Sequence, residues 1–375
     1  MEKKFISILI PDGESDFSLK ALRCLALIPN FKITVLSQYQ WDPIRFSRHH
    51  SGFYYHNHAE FDEGRLEFIM ALAKKLKPDI ILHIEHQTIR LLSEYRAEIE
   101  KIAVLPPLAS PETMDLAGNK WTLTDVLKKE NIPFPTTVFI NEHTPLPEQE
   151  LKQLTYPVLA KPLSSAGGSG IVFFDNYHDL HAFLVGKDRP HKVIVQAFIQ
   201  GYDVGCSVLC VNGKIKAYTI QKGLTPGKKR FQPPTTVEFI QDAEIYANVE
   251  KMMRALNWSG VANIDLRYDQ AKNIHQVLEI NPRFWASVLA SVVAGINFPF
   301  LACQLALKKD FEMPTYQLVR YTKPEAVVGL LLKKYLQGDD TVRTIKETGL
   351  LHTIPDLGPE IAKYPRKILE QLTDR

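Results

Sequence analysis

Strand-like apolar runs alternate with stretches of helical period through the first part of the chain. FISILIP, KITVLSQ, DIILHIE and IAVLPP are the runs, and residues 17–28 and 65–76 between them repeat apolar positions at helical spacing. Runs of strand length spaced by segments of helix length predict a parallel α/β sheet. The first run ends in PDGES and lacks the G-x-G-x-x-G turn of a dinucleotide domain, so this sheet is not expected to hold a nucleotide by itself.

The pattern changes after Pro106, Pro107 and Pro111, which place a domain boundary near residue 110. A helical stretch over 114–129 ends at NIPFP. Beyond it, VIVQAFI, VGCSVLCV and KIKAYTIQ read as antiparallel strands, the last two joined by the hairpin turn Asn212-Gly213. GVANIDLRYD and NIHQVLEINPR form a second pair around a tight turn near 270–273, with helical patterns over 243–256 and from residue 286. The arrangement is α+β. Residues 311–375 carry a helical pattern over 325–335 and no motif, and are expected to form a C-terminal extension of open role.

A chain of 375 residues exceeds what one core normally supports, so two or three domains are expected. Lys plus Arg number 45 against 42 acidic residues, and the resulting +3 is far too small to argue for a nucleic-acid footprint. The N-terminal apolar run of about six residues is too short for a signal peptide or a membrane span, and reads as a buried strand. Cys24, Cys206, Cys210 and Cys303 are scattered, and Cys206 and Cys210 share one face of a strand. The expectation is reduced, structural cysteines in a cytoplasmic protein without membrane partners.

Several polar residues stand out against this background. The loop SSAGGSG, residues 164–170, connects two apolar runs, and its backbone N–H groups either close over phosphates or form a flexible surface turn. Lys161 precedes it among apolar neighbours, so its ammonium either meets an anion or snorkels to the surface. Glu279 and Asn281 are two apart on one strand and share a face, and the hairpin brings Asp265 level with them. Three oxygen donors on rigid strands suit Mg²⁺; the alternative for each is a solvated position on a half-exposed sheet. His49, His50, His56 and His58 cluster, and His83 and His86 flank Glu85, but neither group has zinc-ligand spacing, and no zinc is expected.

Taken in order, AKPLSSAGGSGI, VQAFIQGYDV, NIDLRYD and VLEINPRFWAS resemble the ATP-grasp superfamily over residues 110–310. The segment 279–283, E-x-N-P-R, is most similar to carbamoyl-phosphate-synthase-like and carboxylate–amine ligase members. The resemblance implies a Rossmann-like parallel α/β domain (1–110), then an ATP-grasp fold of two α+β subdomains clasping ATP (111–310, lid about 135–200), then the extension 311–375. It implies that Lys120 and Lys161 contact the nucleotide phosphates and that Ser164, Ser165, Gly167, Gly168, Ser169 and Gly170 cover them. Phe198 and Ile199 would read the adenine edge, Asp203 would accept from the ribose, and Gln196 would neighbour the base where family members often carry Glu. Asp265, Glu279 and Asn281 would hold Mg²⁺, or Mn²⁺ in its place, and Arg283 with Lys161 would stabilise the transferring phosphoryl group.

The implied reaction is an ATP-dependent carboxylate–amine ligation: the carboxylate attacks the γ-phosphate, an acyl phosphate and ADP form, and an amine attacks the acyl carbon. Two other readings stand beside it. Phosphorylation of a small carboxylate or carbamate is one, although a single Gly-rich loop provides only one ATP module. A non-catalytic nucleotide-binding subunit is the other. The partners implied are a small-molecule carboxylate and an amine, with a homodimer as the assembly related ligases often form. QKGLTPGKKRFQPPT, with Lys222, Lys228, Lys229 and Arg230 between strand and helix patterns, resembles a variable substrate loop and is otherwise a solvated connection.

Overall fold

The computed structural model describes residues 5–58, 60–163, 168–186, 191–225, 227, 231–327 and 344–363. Ile8, Leu9 and Ile10 are buried together, which marks a strand covered on both faces, and the sheet around them is parallel. Its order is β3-β2-β1-β4, from β1 (Ile6–Ile10), β2 (Phe31–Ser37), β3 (Gly52–Tyr55) and β4 (Ile80–Ile81). The run IAVLPP makes only an isolated bridge, Val104 beside Ile80, and not the expected strand. Pro106 and Pro107 have no N–H to extend the ladder.

Residues 17–28 and 65–76 are helical as patterned, in Asp16–Leu25 and Glu63–Leu76, capped by the side chains of Ser15 and Asp62. The single helix expected over 114–129 is two, Pro111–Gly118 and Lys120–Lys129. Asn119 breaks the run because its side chain accepts from the N–H groups of Trp121 and Thr122, which caps the second helix and starts it at Lys120.

Residues 135–200 contain a four-stranded antiparallel sheet, β5-β8-β6-β7, with β5 (Thr137–Asn141), β6 (Val158–Pro162), β7 (Val172–Phe174) and β8 (Lys192–Ala197). It has its own small core around Val138, Leu151, Val158 and Leu180. The Gly-rich loop joins β6 to β7, as its flanking apolar runs indicated.

A six-stranded sheet, β13-β12-β9-β10-β11-β14, makes the third layer. It comprises β9 (Asp203–Val211), β10 (Lys214–Thr225), β11 (Thr236–Ile240), β12 (Gly260–Asp269), β13 (Ile274–Asn281) and β14 (Arg320–Thr322). Asn212 and Gly213 turn β9 into β10 with φ of 47° and 75°, the left-handed pair of a tight hairpin. The sequence reading missed β11, so QKGLTPGKKRFQPPT connects two antiparallel strands and not a strand to a helix. Lys228, Lys229 and Arg230 lie outside the described residues, as does most of the helical pattern over 325–335.

Alternation along β9 sends Val204, Cys206, Val208 and Cys210 into one core with the helix Ala243–Ala255, and Leu209 into another with Phe284 and Trp285. All four cysteines are free and buried. Among the described residues no helix is long and apolar enough to cross a membrane.

Candidate active site

A cavity of about 750 Å³ is walled by residues of both antiparallel sheets and reached by Phe17 from the N-terminal layer. The volume is that of a typical small-molecule site.

Its floor is the hairpin β12–β13. Asp265 pairs directly with Glu279, and Asn263 with Asn281. The ladder then slips, so that Leu266 faces Val277 and Leu278 has no partner in the register, a bulge beside the two carboxylates. Asn263 donates to Asp265 at 2.7 Å, and Asn281 donates to Asp265 at 3.0 Å and Glu279 at 3.3 Å. Burial, then the charge of Glu279, pushes the Asp265 carboxyl up to about 8. Burial acts the same way on Glu279, but the Lys120 ammonium at 2.9 Å and the charge of Lys161 outweigh it and hold that carboxyl below its ordinary value.

Two lysines approach from different elements. Lys120 heads its helix, which turns it toward Glu279. Lys161, 7% exposed on β6, donates to Gln196 Oε1 at 2.7 Å, and Gln196 Nε2 donates to Thr137 at 3.0 Å. Desolvation pulls the Lys161 ammonium down to about 8, against the attraction of Glu279. The amide at position 196 accepts from Lys161 yet supplies no counter-charge, so the lysine charge is left for an incoming anion.

Arg267 fixes the segment between the sheets. It donates to the Ile199 carbonyl at 2.8 Å and the Gly201 carbonyl at 2.9 Å, pairs with Asp203, and lies over the Phe198 ring at 5.3 Å. The Phe198 N–H donates to the Pro157 carbonyl at 2.9 Å. Phe198, Ile199 and Asp203 all line the cavity, but the Phe198 N–H, the Ile199 carbonyl and one oxygen of Asp203 are thus engaged within the protein.

Arg283 spans two layers. It donates to Asn281 Oδ1 at 3.0 Å and to the Phe284 carbonyl at 2.9 Å, lies 3.4 Å from Glu85 and sits 4.4 Å over the Phe17 ring. Glu85 in turn accepts from Ser15 at 3.0 Å, so the loops after β1 and β4 back this arginine.

Of the Gly-rich loop, Gly168 lines the cavity and lies against Phe231, and Ser169 and Gly170 complete the turn into β7. Gly168 and Gly170 have φ of 80° and 71°, which only glycine adopts readily. Ser164, Ser165 and Gly167 lie outside the described residues. Lys222 is on the opposite face of β10 from Gln221 and Gly223, with its ammonium 4.0 Å over the Tyr202 ring, away from the cavity wall.

Lys120, Lys161, Gln196, Asp265, Glu279, Asn281 and Arg283, distant in sequence, thus share one cavity. Asn263 and Arg267 went unremarked in the sequence although the alternation that selects Asp265 selects both. Glu85, Gln221 and Lys323 carried no comparable signal.

Two carboxylates forced together by a strand register, with an oxygen-bearing amide beside them, are a donor set that fits a hard divalent cation. Among the described residues no three His, Cys, Asp or Glu cluster, so phosphate oxygens or water would complete the coordination. The Asn281 amide now turns its NH₂ to both carboxylates, and rotation about its last bond would present the oxygen instead.

Residues 117–287 match the ATP-grasp domain family. The D-aspartate ligase of Enterococcus faecium is 23% identical over 300 residues, covering 72% of this chain and 70% of that protein. The carbamoyl phosphate synthase large chain of Clostridium beijerinckii is 24% identical over 274 residues, covering 70% of this chain but 25% of that one. Among solved structures, the biotin carboxylase domain dimer of the Hydrogenobacter thermophilus 2-oxoglutarate carboxylase, in complex with MgADP and bicarbonate, superposes with a TM-score of 0.66 at 16% identity, covering 85% of this chain and 73% of that one.

Proposed function

We propose that this chain, whose residues 117–287 match the ATP-grasp domain family, is an ATP- and Mg²⁺-dependent ligase. It would activate a substrate carboxylate as an acyl phosphate for attack by an amine. The observation that carries this reading is the convergence of Lys120, Lys161, the Asp265–Glu279 pair and Arg283 on one cavity. Cations and carboxylates in that arrangement suit transfer of a phosphoryl group, where positioning and charge neutralisation do most of the work.

In this reading Lys120 and Lys161 bind phosphate oxygens, and Glu279, released from Lys120, joins Asp265 and Asn281 in holding Mg²⁺. The ion would neutralise charge on the phosphates. Arg283, braced by Glu85 and the Phe284 carbonyl, keeps its guanidinium against the acid being activated. Gly168 to Gly170 close over the phosphates and exclude water, and the segment from Phe198 to Asp203, held by Arg267, cradles the nucleoside. The domain limits 1–110, 111–310 and 311–375 belong to the same proposal, with the four-stranded sheet as lid; β14 is then an edge strand that the last segment adds to the six-stranded sheet.

The likeness to a carbamoyl phosphate synthase favours one competing reading, phosphorylation of a carbamate or small acid without an amine acceptor. ADP and phosphate release from Mg·ATP, assayed with acid alone and with acid plus amines, separates the two. Release that requires both components, and stops in Glu279→Ala, supports ligation. Full turnover with the acid alone and an acyl or carbamoyl phosphate as final product supports the competitor.

A further inference from the structure

Around Phe17, which lines the cavity, stand two cations that the activation chemistry does not use: Lys323 in the cavity wall and Lys20 beside the Phe17 ring. Lys323, directly after β14, lines the cavity together with Phe17 and Arg283. Its backbone N–H donates to the Thr235 carbonyl at 2.9 Å, which fixes the residue at the sheet edge. Lys20 follows Phe17 by three positions in the helix Asp16–Leu25, so the two share a face, and its ammonium lies 5.5 Å from the Phe17 ring.

Neither ammonium makes an ion pair or hydrogen bond among the described residues. The carboxylates within electrostatic reach of Lys20, Asp16 and Glu325, are both exposed. Burial lowers both lysines below their ordinary value, Lys20 to about 8, as expected of cations withdrawn from water without a close counter-ion. Arg283 differs from them in that each of its three guanidinium nitrogens has a partner, in Asn281, the Phe284 carbonyl and Glu85.

We propose that this end of the cavity is a subsite for a second anionic group on the acid substrate, a carboxylate or phosphate apart from the carboxylate to be activated, gripped by Lys323 and Lys20 beside Phe17. This rests on the ligase reading above. A monoacid would leave these two partly desolvated cations without a close counter-ion among the described residues; a dianion supplies one. The substrate class is therefore an acid carrying a further negative charge.

Titration calorimetry tests this on the wild type loaded with Mg·ADP, using propionate, succinate and 3-phosphonopropionate. The two dianions are expected to bind at least about tenfold more tightly than propionate, the size of one charge-assisted contact, and the tighter of them identifies carboxylate or phosphate as the anchor. Lys323→Gln and Lys20→Gln should each weaken the dianions toward propionate, by far more than they weaken ADP. Propionate binding as tightly as both dianions would overturn the subsite on the wild type alone, and so would dianion affinities unchanged in both variants. ADP release separates the two claims: stimulation by propionate as strong as by succinate removes the subsite and keeps the ligase, whereas dianion preference without ADP release under any condition removes the ligase.

Discussion

Lys161 donates to Gln196 at 2.7 Å across the neighbouring strands β6 and β8, a cation answered by a neutral amide. Because burial lowers the Lys161 ammonium to about 8, its charge is lost as pH rises through that value, and phosphate binding should weaken with it. ADP affinity is expected to be level below pH about 8 and to fall above it, by up to about tenfold per pH unit. Gln196→Glu supplies a counter-charge, raises the lysine, and should move the decline to higher pH. An ADP titration series in both proteins checks this.

The Asp265–Glu279 pair carries an opposing signature. A carboxyl raised from 3.8 to about 8 in the folded state stabilises below pH about 4, and that contribution is lost as pH rises toward 8. In EDTA at pH 8.5, Asp265→Asn is therefore expected to melt several degrees above the wild type, with the difference vanishing near pH 4. The same variant should release no ADP. Melting curves at the two pH values, beside the turnover assay, separate a residue kept for function from one kept for stability.

Arg267 should not be replaceable by lysine. Its planar fork serves two carbonyls and Asp203 at once, which a single ammonium cannot do. Arg267→Lys is expected to cost about 1–3 kcal/mol in urea unfolding and to weaken ADP binding. Gly201→Ala should act on the same segment, since a Cβ there would overlap the Tyr268 carbonyl oxygen.

Asp356 does not line the cavity; it is 2% exposed and accepts from Arg23 at 3.0 Å, from the Ser47 hydroxyl at 3.0 Å and from the Arg48 N–H at 3.0 Å. Asp356→Ala leaves the buried Arg23 without this partner and is expected to lower stability by about 3–5 kcal/mol. ADP affinity at a temperature where the variant is folded should stay that of the wild type. Urea unfolding and ADP titration measure both effects.

What the sequence revealed followed from periodicity. Glu279 and Asn281 were legible as one face of a strand, and the Asn212-Gly213 turn as a hairpin, because alternation and left-handed turn residues are local properties. Asn119 shows where locality fails: the apolar period runs on through it, but its side chain caps a new helix and so presents Lys120 to Glu279. β11 was hidden behind a Pro- and Lys-rich stretch that reads as loop. The backing of Arg283 by Glu85 joins two layers of the fold, and no spacing along the chain encodes it.

The most direct test of ligation is capture of the activated acid. Wild type with Mg·ATP, a pool of amino acids and other small carboxylates, and hydroxylamine should yield a hydroxamate in one-to-one proportion with ADP, and Glu279→Ala should yield neither. Tight ADP binding with no hydroxamate and no ADP release from any pool would contradict the account and leave a nucleotide-binding protein without turnover.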